Sequence, residues 1–259
     1  MKNVWHKVLA VLLTVSFVTF ALFFNYEKTL AAISVNDITD NSAAPGSTTL
    51  SWQFTNHGNI FILGALFNTN TVTGSATYGG QSMTATSNSP TDIDSANRLY
   101  VWYLSNPPTG NNTVTVTTSG GALYRVRGVT LAGAALSGQP DSVGNVTVAS
   151  GVGATTTVTT VNDKAWLVGI CRETINGNTS AGYLTSLLDA GESSTVGLYQ
   201  SSINPISPAG AATLNCTTSP SNAAIGIIGI AVIPTLNTHA AIYALKAKVF
   251  ILKSKVYVQ

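Results

Sequence analysis

Charged side chains are the scarcest class in this sequence. Asp, Glu, Lys and Arg make up 8% of its 259 residues, about a third of the usual share. Much of that charge sits at the ends: Lys2, Lys7 and Lys28 precede residue 33, and Lys246, Lys248, Lys253 and Lys255 follow residue 236. Between them, five cations (Arg98, Arg125, Arg127, Lys164, Arg172) face nine carboxylates (Asp37, Asp40, Asp92, Asp94, Asp141, Asp163, Glu173, Asp189, Glu192), five minus nine or −4. A mildly acidic stretch without a basic patch is a poor match for a phosphate backbone, so nucleic acid is not an expected partner. Beyond residue 30 the histidines are His57 and His239, and the sequence holds no H-E-x-x-H, G-x-S-x-G or C-x-x-C. Zinc-hydrolase, nucleophile-elbow and dithiol chemistries therefore have no motif to stand on.

Cysteine is almost missing too, with only Cys171 and Cys216. In an oxidising compartment an even pair suggests one disulfide. Closing a loop of roughly 45 residues would stabilise the fold by about 4 kcal/mol in the chain-entropy model; two separately buried thiols are the alternative. The first residues point to that compartment. "MKNVWHK" is a short basic region, Val8–Phe24 is an uncharged apolar run, and Ala31 and Ala32 are small enough for cleavage. As a helix the run would be roughly 26 Å long at ~1.5 Å per residue, so residues 1–32 are either a secretory signal or an uncleaved membrane anchor. With no cysteine near the end of the run, lipid attachment is not expected. The protein is expected outside the cell or at its surface.

Helical periodicity is absent from residues 33–236. Short β-branched or aromatic runs recur instead, such as "TTLSWQF", "IFILGAL", "RLYVWYL", "NTVTVTT", "KAWLVGIC" and "AAIGIIGIAVI", separated by "SNPPTGNN", "SGQPDSVG" and "SINPISPAG". This pattern predicts an all-β fold, an antiparallel two-sheet β-sandwich of jelly-roll type, over residues 33–236. An N-terminal hydrophobic helix and a short basic tail, 237–259, would flank it. In "NTVTVTT" Val114 and Val116 share one face and Thr113, Thr115 and Thr117 the other, a half-exposed strand. "NPPTGN" suits a long hairpin joining 99–105 to 112–118. The passage of the apolar set from Tyr124 and Val126 to Val129 and Leu131 suggests a β-bulge at Gly128. "AAIGIIGIAVI" reads as a central strand. The tail, if helical, aligns Ile242, Leu245, Val249 and Leu252 with lysines elsewhere, which would suit an anionic membrane or polymer surface.

"LYVWYL" carries large apolar groups on both faces. Tyr100 and Trp102 are therefore either core or an exposed aromatic platform on which sugar rings stack, and Tyr183 and Tyr199 offer the same chemistry in later segments. Asp92, Asp94 and Asn97 in "TDIDSAN" place oxygen ligands at a spacing that suits Ca²⁺, or an Asx-turn; no other cofactor is suggested. Glu173 and Glu192 are the carboxylates a glycosidase would need, and His57 is the base a serine triad would need. Sequons at Asn111, Asn145, Asn178 and Asn215 are as frequent as an Asn- and Thr-rich chain produces.

Across "TYGGQSMTATS", "RLYVWYLSNPPTGNNTVTVTTSG" and "VRGVTLAGA" the chain resembles an uncharacterised, jelly-roll-like β-sandwich module of secreted bacterial surface proteins and phage tail or fibre proteins. The resemblance spans roughly residues 71–135, and the later "AWLVGI" and "IAVIP" fit it; the lysine-rich tail does not. It implies architecture and location, and it carries no catalytic motif. The expected function is a non-catalytic surface protein, structural or adhesive, with a carbohydrate-binding module as the alternative and a glycan hydrolase behind both. Expected partners are extracellular polysaccharides or surface proteins, with a membrane involved only through the N-terminal segment and the basic tail.

Overall fold

The structure, a computed structural model, describes residues 30–44, 46–121, 123–151, 153–173, 184–188, 195–201, 204–217 and 223–236. Ala31–Thr235 make up one compact unit; a second, Met1–Leu30 with Leu236–Gln259, contains the bridged pair Leu30 and Leu236. There is no helix among the described residues. The leader, the tail, Tyr183 and Glu192 lie outside them.

In chain order the first half supplies β1 (Ser34–Ser42), β2 (Thr49–Asn56), β3 (Ile60–Phe67), β4 (Gly74–Tyr78), β5 (Gln81–Ser82), β6 (Thr84–Ala85), β7 (Thr91–Asp92), β8 (Arg98–Ser105), β9 (Gly110–Thr118) and β10 (Leu123–Ala132). The second supplies β11 (Ser142–Gly151), β12 (Gly153–Thr159), β13 (Trp166–Glu173), β14 (Leu184–Leu188), β15 (Thr195–Ser201), β16 (Ala211–Thr217) and β17 (Ala223–Val232). All pairings are antiparallel. Sheet 1 runs β2-β9-β4-β5, sheet 2 runs β1-β10-β3-β8-β6 with β7 also on β8, sheet 3 runs β11-β17-β13-β15-β14, and sheet 4 is β12-β16.

The all-β antiparallel sandwich character expected from the sequence is present, but one pair of sheets is not enough to describe it. Three apolar clusters separate four layers. Phe61, Leu63, Phe67, Tyr100, Trp102, Val114 and Val116 fill the space between sheets 1 and 2. Ile60, Ile62, Leu99, Val101, Val168, Ile170 and Ile228 lie between sheets 2 and 3. Leu167, Cys171, Leu214, Cys216, Ile225 and Ile227 lie between sheets 3 and 4. Sheets 2 and 3 are thus covered on both faces. A Cβ placed on Gly64 of β3 would lie 2.6 Å from Ile170 Cγ2 of β13, so the two middle sheets approach too closely there for a side chain.

The second half repeats the first. β1, β10, β3 and β8 lie side by side in sheet 2 as β11, β17, β13 and β15 do in sheet 3, while β2 pairs β9 in sheet 1 as β12 pairs β16 in sheet 4. The sequences rhyme around the last strands: Leu99-Tyr100 with Leu198-Tyr199, Asn106-Pro107 with Asn204-Pro205, Gly110 with Gly210. Sheet 1 has β4 and β5 beyond β9; no described strand follows β16.

Two local expectations are corrected. The segment 99–105 does not form a hairpin with 112–118: β8 pairs β3, and β9 pairs β2 and β4. Asn106 (φ 53°) and Gly110 (φ 82°) bracket Pro107 and Pro108 and carry the chain from sheet 2 to sheet 1. No bulge occurs at Gly128 either. Arg127, Gly128 and Val129 face Gly64, Leu63 and Ile62 in unbroken register, and the shifts fall at Leu123/Arg125 and Val35/Asp37. The switch of apolar parity in β10 has another cause: with both faces covered, Val126 enters one core while Val129 and Leu131 enter the other. A tight turn joins β4 to β5, with Gly79 and Gly80 at φ 55° and 78° between Tyr78 and Gln81, the positive-φ pair that a two-residue hairpin favours.

Cys171 and Cys216 form a disulfide with Cα atoms 6.3 Å apart, tying β13 of sheet 3 to β16 of sheet 4 inside their shared core. Replacing both by alanine should cost about 2–4 kcal/mol, read as a lower urea midpoint at unchanged far-UV circular dichroism. Trp102→Ala empties a site that is 2% exposed and should cost about 3–5 kcal/mol, visible as a fall in melting temperature.

Candidate functional site

Strand alternation decides what the two outer sheets show to solvent. On sheet 1, Phe54, Ala76, Tyr78, Val114 and Val116 point inward. Ser51, Gln53 and Thr55 of β2, Ser75 of β4 and Asn111 and Thr113 of β9 are exposed on the other face, with Thr77, Thr115 and Thr117 half-buried among them. Register places Ser51 opposite Thr115, Gln53 opposite Thr113 and Ser75 opposite Thr117. The side chains of each pair bond across the strands: Ser51 Oγ to Thr115 Oγ1 at 2.9 Å, Gln53 Nε2 donating to Thr113 Oγ1 at 2.8 Å, and Ser75 Oγ to Thr117 Oγ1 at 2.7 Å. These bonds fix rotamers and leave each hydroxyl with further capacity. Hydroxyls so placed repeat about 4.8 Å across strands and about 6.8 Å along them. Sheet 4 does the same with less area. Thr155, Thr157 and Thr159 are exposed opposite Asn215, Thr213 and Ala211, while Ala154, Val158, Ala212 and Leu214 face the core. Neither face carries a charge.

The charges are spent elsewhere. Asp92 accepts two bonds from Arg98, whose third donor goes to Val72 O at 2.9 Å. Arg125 and Arg127 of β10 share Asp40 of β1. Arg127 is 1% exposed and also donates to Val196 O of β15, crossing from sheet 2 to sheet 3. Arg172 of β13 crosses the other way, bonding Asp94 Oδ2 at 2.8 Å and Ala224 O at 3.0 Å. Partial burial works against the charge of Asp94, but bonds from Asn97, the Ala96 amide and Arg172 outweigh it and hold its carboxyl below the usual range. Asp40 follows the same pattern: burial opposes ionisation, and Arg125 and Arg127 overcome it.

These contacts settle several candidate residues. Tyr100 and Trp102 stack on each other, centroids 5.0 Å apart and planes at 13°, with Phe67 edge-on to both. Both are buried in the first core; they cannot serve as a platform, because the covering layer of sheet 1 occupies the faces a sugar would need. Asp92, Asp94 and Asn97 do not converge on a cation. Asp92 turns to Arg98, Asp94 to Arg172, and Asn97 presents its Nδ2 donor to Asp94; the Ala96 amide donates to Asp94 Oδ1 at 2.7 Å, the Asx-turn that was the alternative reading. Among the described residues no group of three or more His, Cys, Asp or Glu could hold a metal ion. His57 is held through Nδ1 by Asp37 at 3.0 Å, and Asp37 also accepts from Thr130 Oγ1 at 3.1 Å. That is the His–Asp half of a triad, but no described hydroxyl bonds the other ring nitrogen. Tyr199 and Glu173 sit on β15 and β13, with side chains outside the description, as Tyr183 and Glu192 are wholly.

Sequence reasoning missed Arg127 and Arg172 as ties between layers. For Arg127 the signal was present, since an arginine inside a run of apolar strand residues with no acidic neighbour in sequence needs a partner from elsewhere; for Arg172 the adjacent Glu173 hid it. No protein-family model matches the chain, and no curated protein matches it.

Asp40 and Asp94 both have carboxyls lowered by folding. Their contribution to stability is therefore complete above the unfolded carboxylate range, about pH 4, and is lost as pH falls through their folded values. Asp94→Asn should remove the acid-sensitive part that belongs to Arg172 and cost about 3 kcal/mol at neutral pH, since it leaves a buried guanidinium without its anion. Urea melts of both proteins between pH 7 and acid would show converging stabilities at low pH.

Proposed function

We propose that this chain is a non-catalytic, exported surface protein whose layered β-structure acts as a rigid structural or adhesive scaffold. The observation that carries the reading is the pair of uncharged, hydroxyl-lined outer faces. Arg98, Arg125, Arg127 and Arg172 are all committed to ion pairs, so the charged groups hold elements together and the neutral faces are left to meet the surroundings. Such faces favour uncharged, hydroxyl-rich partners, an extracellular polysaccharide above all. Recognition would run through hydroxyls and amides rather than through Tyr100 and Trp102. Export is supported by the leader, the disulfide and the low charge. The order β1-β10-β3-β8 over β2-β9-β4-β5 supports reading the first half as a jelly-roll-type sandwich, in keeping with the resemblance to surface and phage-fibre modules.

The test is a pull-down of residues 32–236 on a panel of insoluble and cell-wall polysaccharides, with Ca²⁺ or chelator. Retention on one polymer, indifferent to chelator and weakened about tenfold by the double variant Gln53→Ala, Thr113→Ala, is the expected result. Failure on every polymer, or retention that ignores this variant, would remove the outer face of sheet 1 from the binding account.

A further inference from the structure

The four layers put the two hydroxyl-lined faces on opposite sides of one compact unit. Apolar cores lie between sheets 1 and 2, between sheets 2 and 3, and between sheets 3 and 4. The open face of sheet 1 therefore looks away from the open face of sheet 4. Packed sheets lie about 10 Å apart, so three such spacings hold the two outer sheets about 30 Å from each other. The ends of the unit obstruct neither face. Ala31, which leads into β1 of sheet 2, donates its N–H at 2.8 Å to the carbonyl of Thr235, just beyond β17 of sheet 3. Both ends leave from the middle layers.

The internal repeat makes the two faces equivalents of each other. Val114 and Leu214 fill matching inward places, as do Val116 and Cys216, so Thr113 answers to Thr213 and Thr115 to Asn215. Their strand partners match as well. Gln53 opposite Thr113 corresponds to Thr157 opposite Thr213, and Ser51 opposite Thr115 corresponds to Thr155 opposite Asn215. All of these outward positions hold a hydroxyl or an amide. A partner that sheet 1 bonds through such groups finds the same groups on sheet 4, spread over two strands instead of four. Fewer groups make a weaker face, because each neutral hydrogen bond replaces one to water and adds little by itself. Neither face has a charge with which to select a charged partner, so both suit the same kind of neutral polymer.

We infer that one molecule bridges two neutral polysaccharide chains, holding one on sheet 1 and another on sheet 4, and so cross-links the polymer to which it adheres. The inference rests on the polysaccharide reading above and adds to it a second contact on the far side of the unit. Particles of cellulose, chitin and β-1,3-glucan, each dyed in two colours, are mixed with residues 32–236. Mixed-colour clumps are then counted beside retention on the same particles. On a polymer that retains the chain, clumping should rise with added protein, pass a maximum and fall at excess, where different molecules occupy the facing surfaces. The sheet 4 variant T155A/T157A should keep retention within about twofold, which also reports an intact fold, and should clump about tenfold less. The variant T155S/T157S, which keeps both hydroxyls, should clump like the parent. Retention with no clumping at any ratio, or clumping that T155A/T157A leaves untouched, would overturn the inference and leave the sheet 1 reading standing. Retention on none of the particles would overturn both.

Discussion

A β-strand covered on both faces leaves no position where a polar side chain can meet water, and β3 and β17, in the middle sheets of this protein, live under that condition. β3 is buried at all eight of its residues. Its alternate side chains serve two different cores, Ile60 and Ile62 one way, Phe61 and Leu63 the other. Burial of this kind is the main favourable term in folding, and it forces the few charges inside to find partners across layers. Arg127 reaches Asp40 and a carbonyl of β15; Arg172 reaches Asp94 from the opposite sheet. The ion pairs follow from the stacking: a buried guanidinium without its anion would cost more than the strand around it supplies.

The outer sheets answer to a looser rule. Each has one face on a core and one in water, so its strands alternate cleanly, and the watery side is made of threonine, serine, asparagine and glutamine rather than ions. Threonine suits that place twice, since its branched Cβ favours the strand and its hydroxyl bonds across it. Neutral hydroxyls line the open faces of the outer sheets, while Arg127 and Arg172 tie the layers inside. The disulfide adds to sheet 4, the smallest layer, a covalent tie to the sheet beneath.

How much was readable in advance differed from element to element. "NTVTVTT" announced its inward valines and outward threonines, because a half-covered strand writes its environment in a period of two. The hairpin at "YGGQ" went unread although its two glycines are the residues that accept successive positive φ values with least strain. The strand of Tyr100 and Trp102 showed large apolar groups on both faces but could not say whether the second face met a core or a ligand. The two rings stack on each other with Phe67 edge-on to both, inside a core. Gly128 misled for the same reason. A change of apolar parity resembles a bulge when only one core is imagined, and is ordinary pleating when there are two. The internal repeat was hidden because packing conserves strand order more tightly than residue identity. Val114 answers to Leu214 and Val116 to Cys216, equivalent in what they bury and unlike as letters.

By itself the sequence determined the all-β class, the alternation of the outer strands and the scarcity of charge, since each depends on the backbone and side-chain preferences of a few consecutive residues. Only the tertiary structure decided the number of layers, the back-to-back packing of the two halves, the pairing of Asp94 with Arg172 and of Cys171 with Cys216, and the meeting of Ala31 with Thr235. Those contacts join residues 45 to more than 200 positions apart. Their energies depend on which face another sheet covers, and no short stretch of chain contains that information.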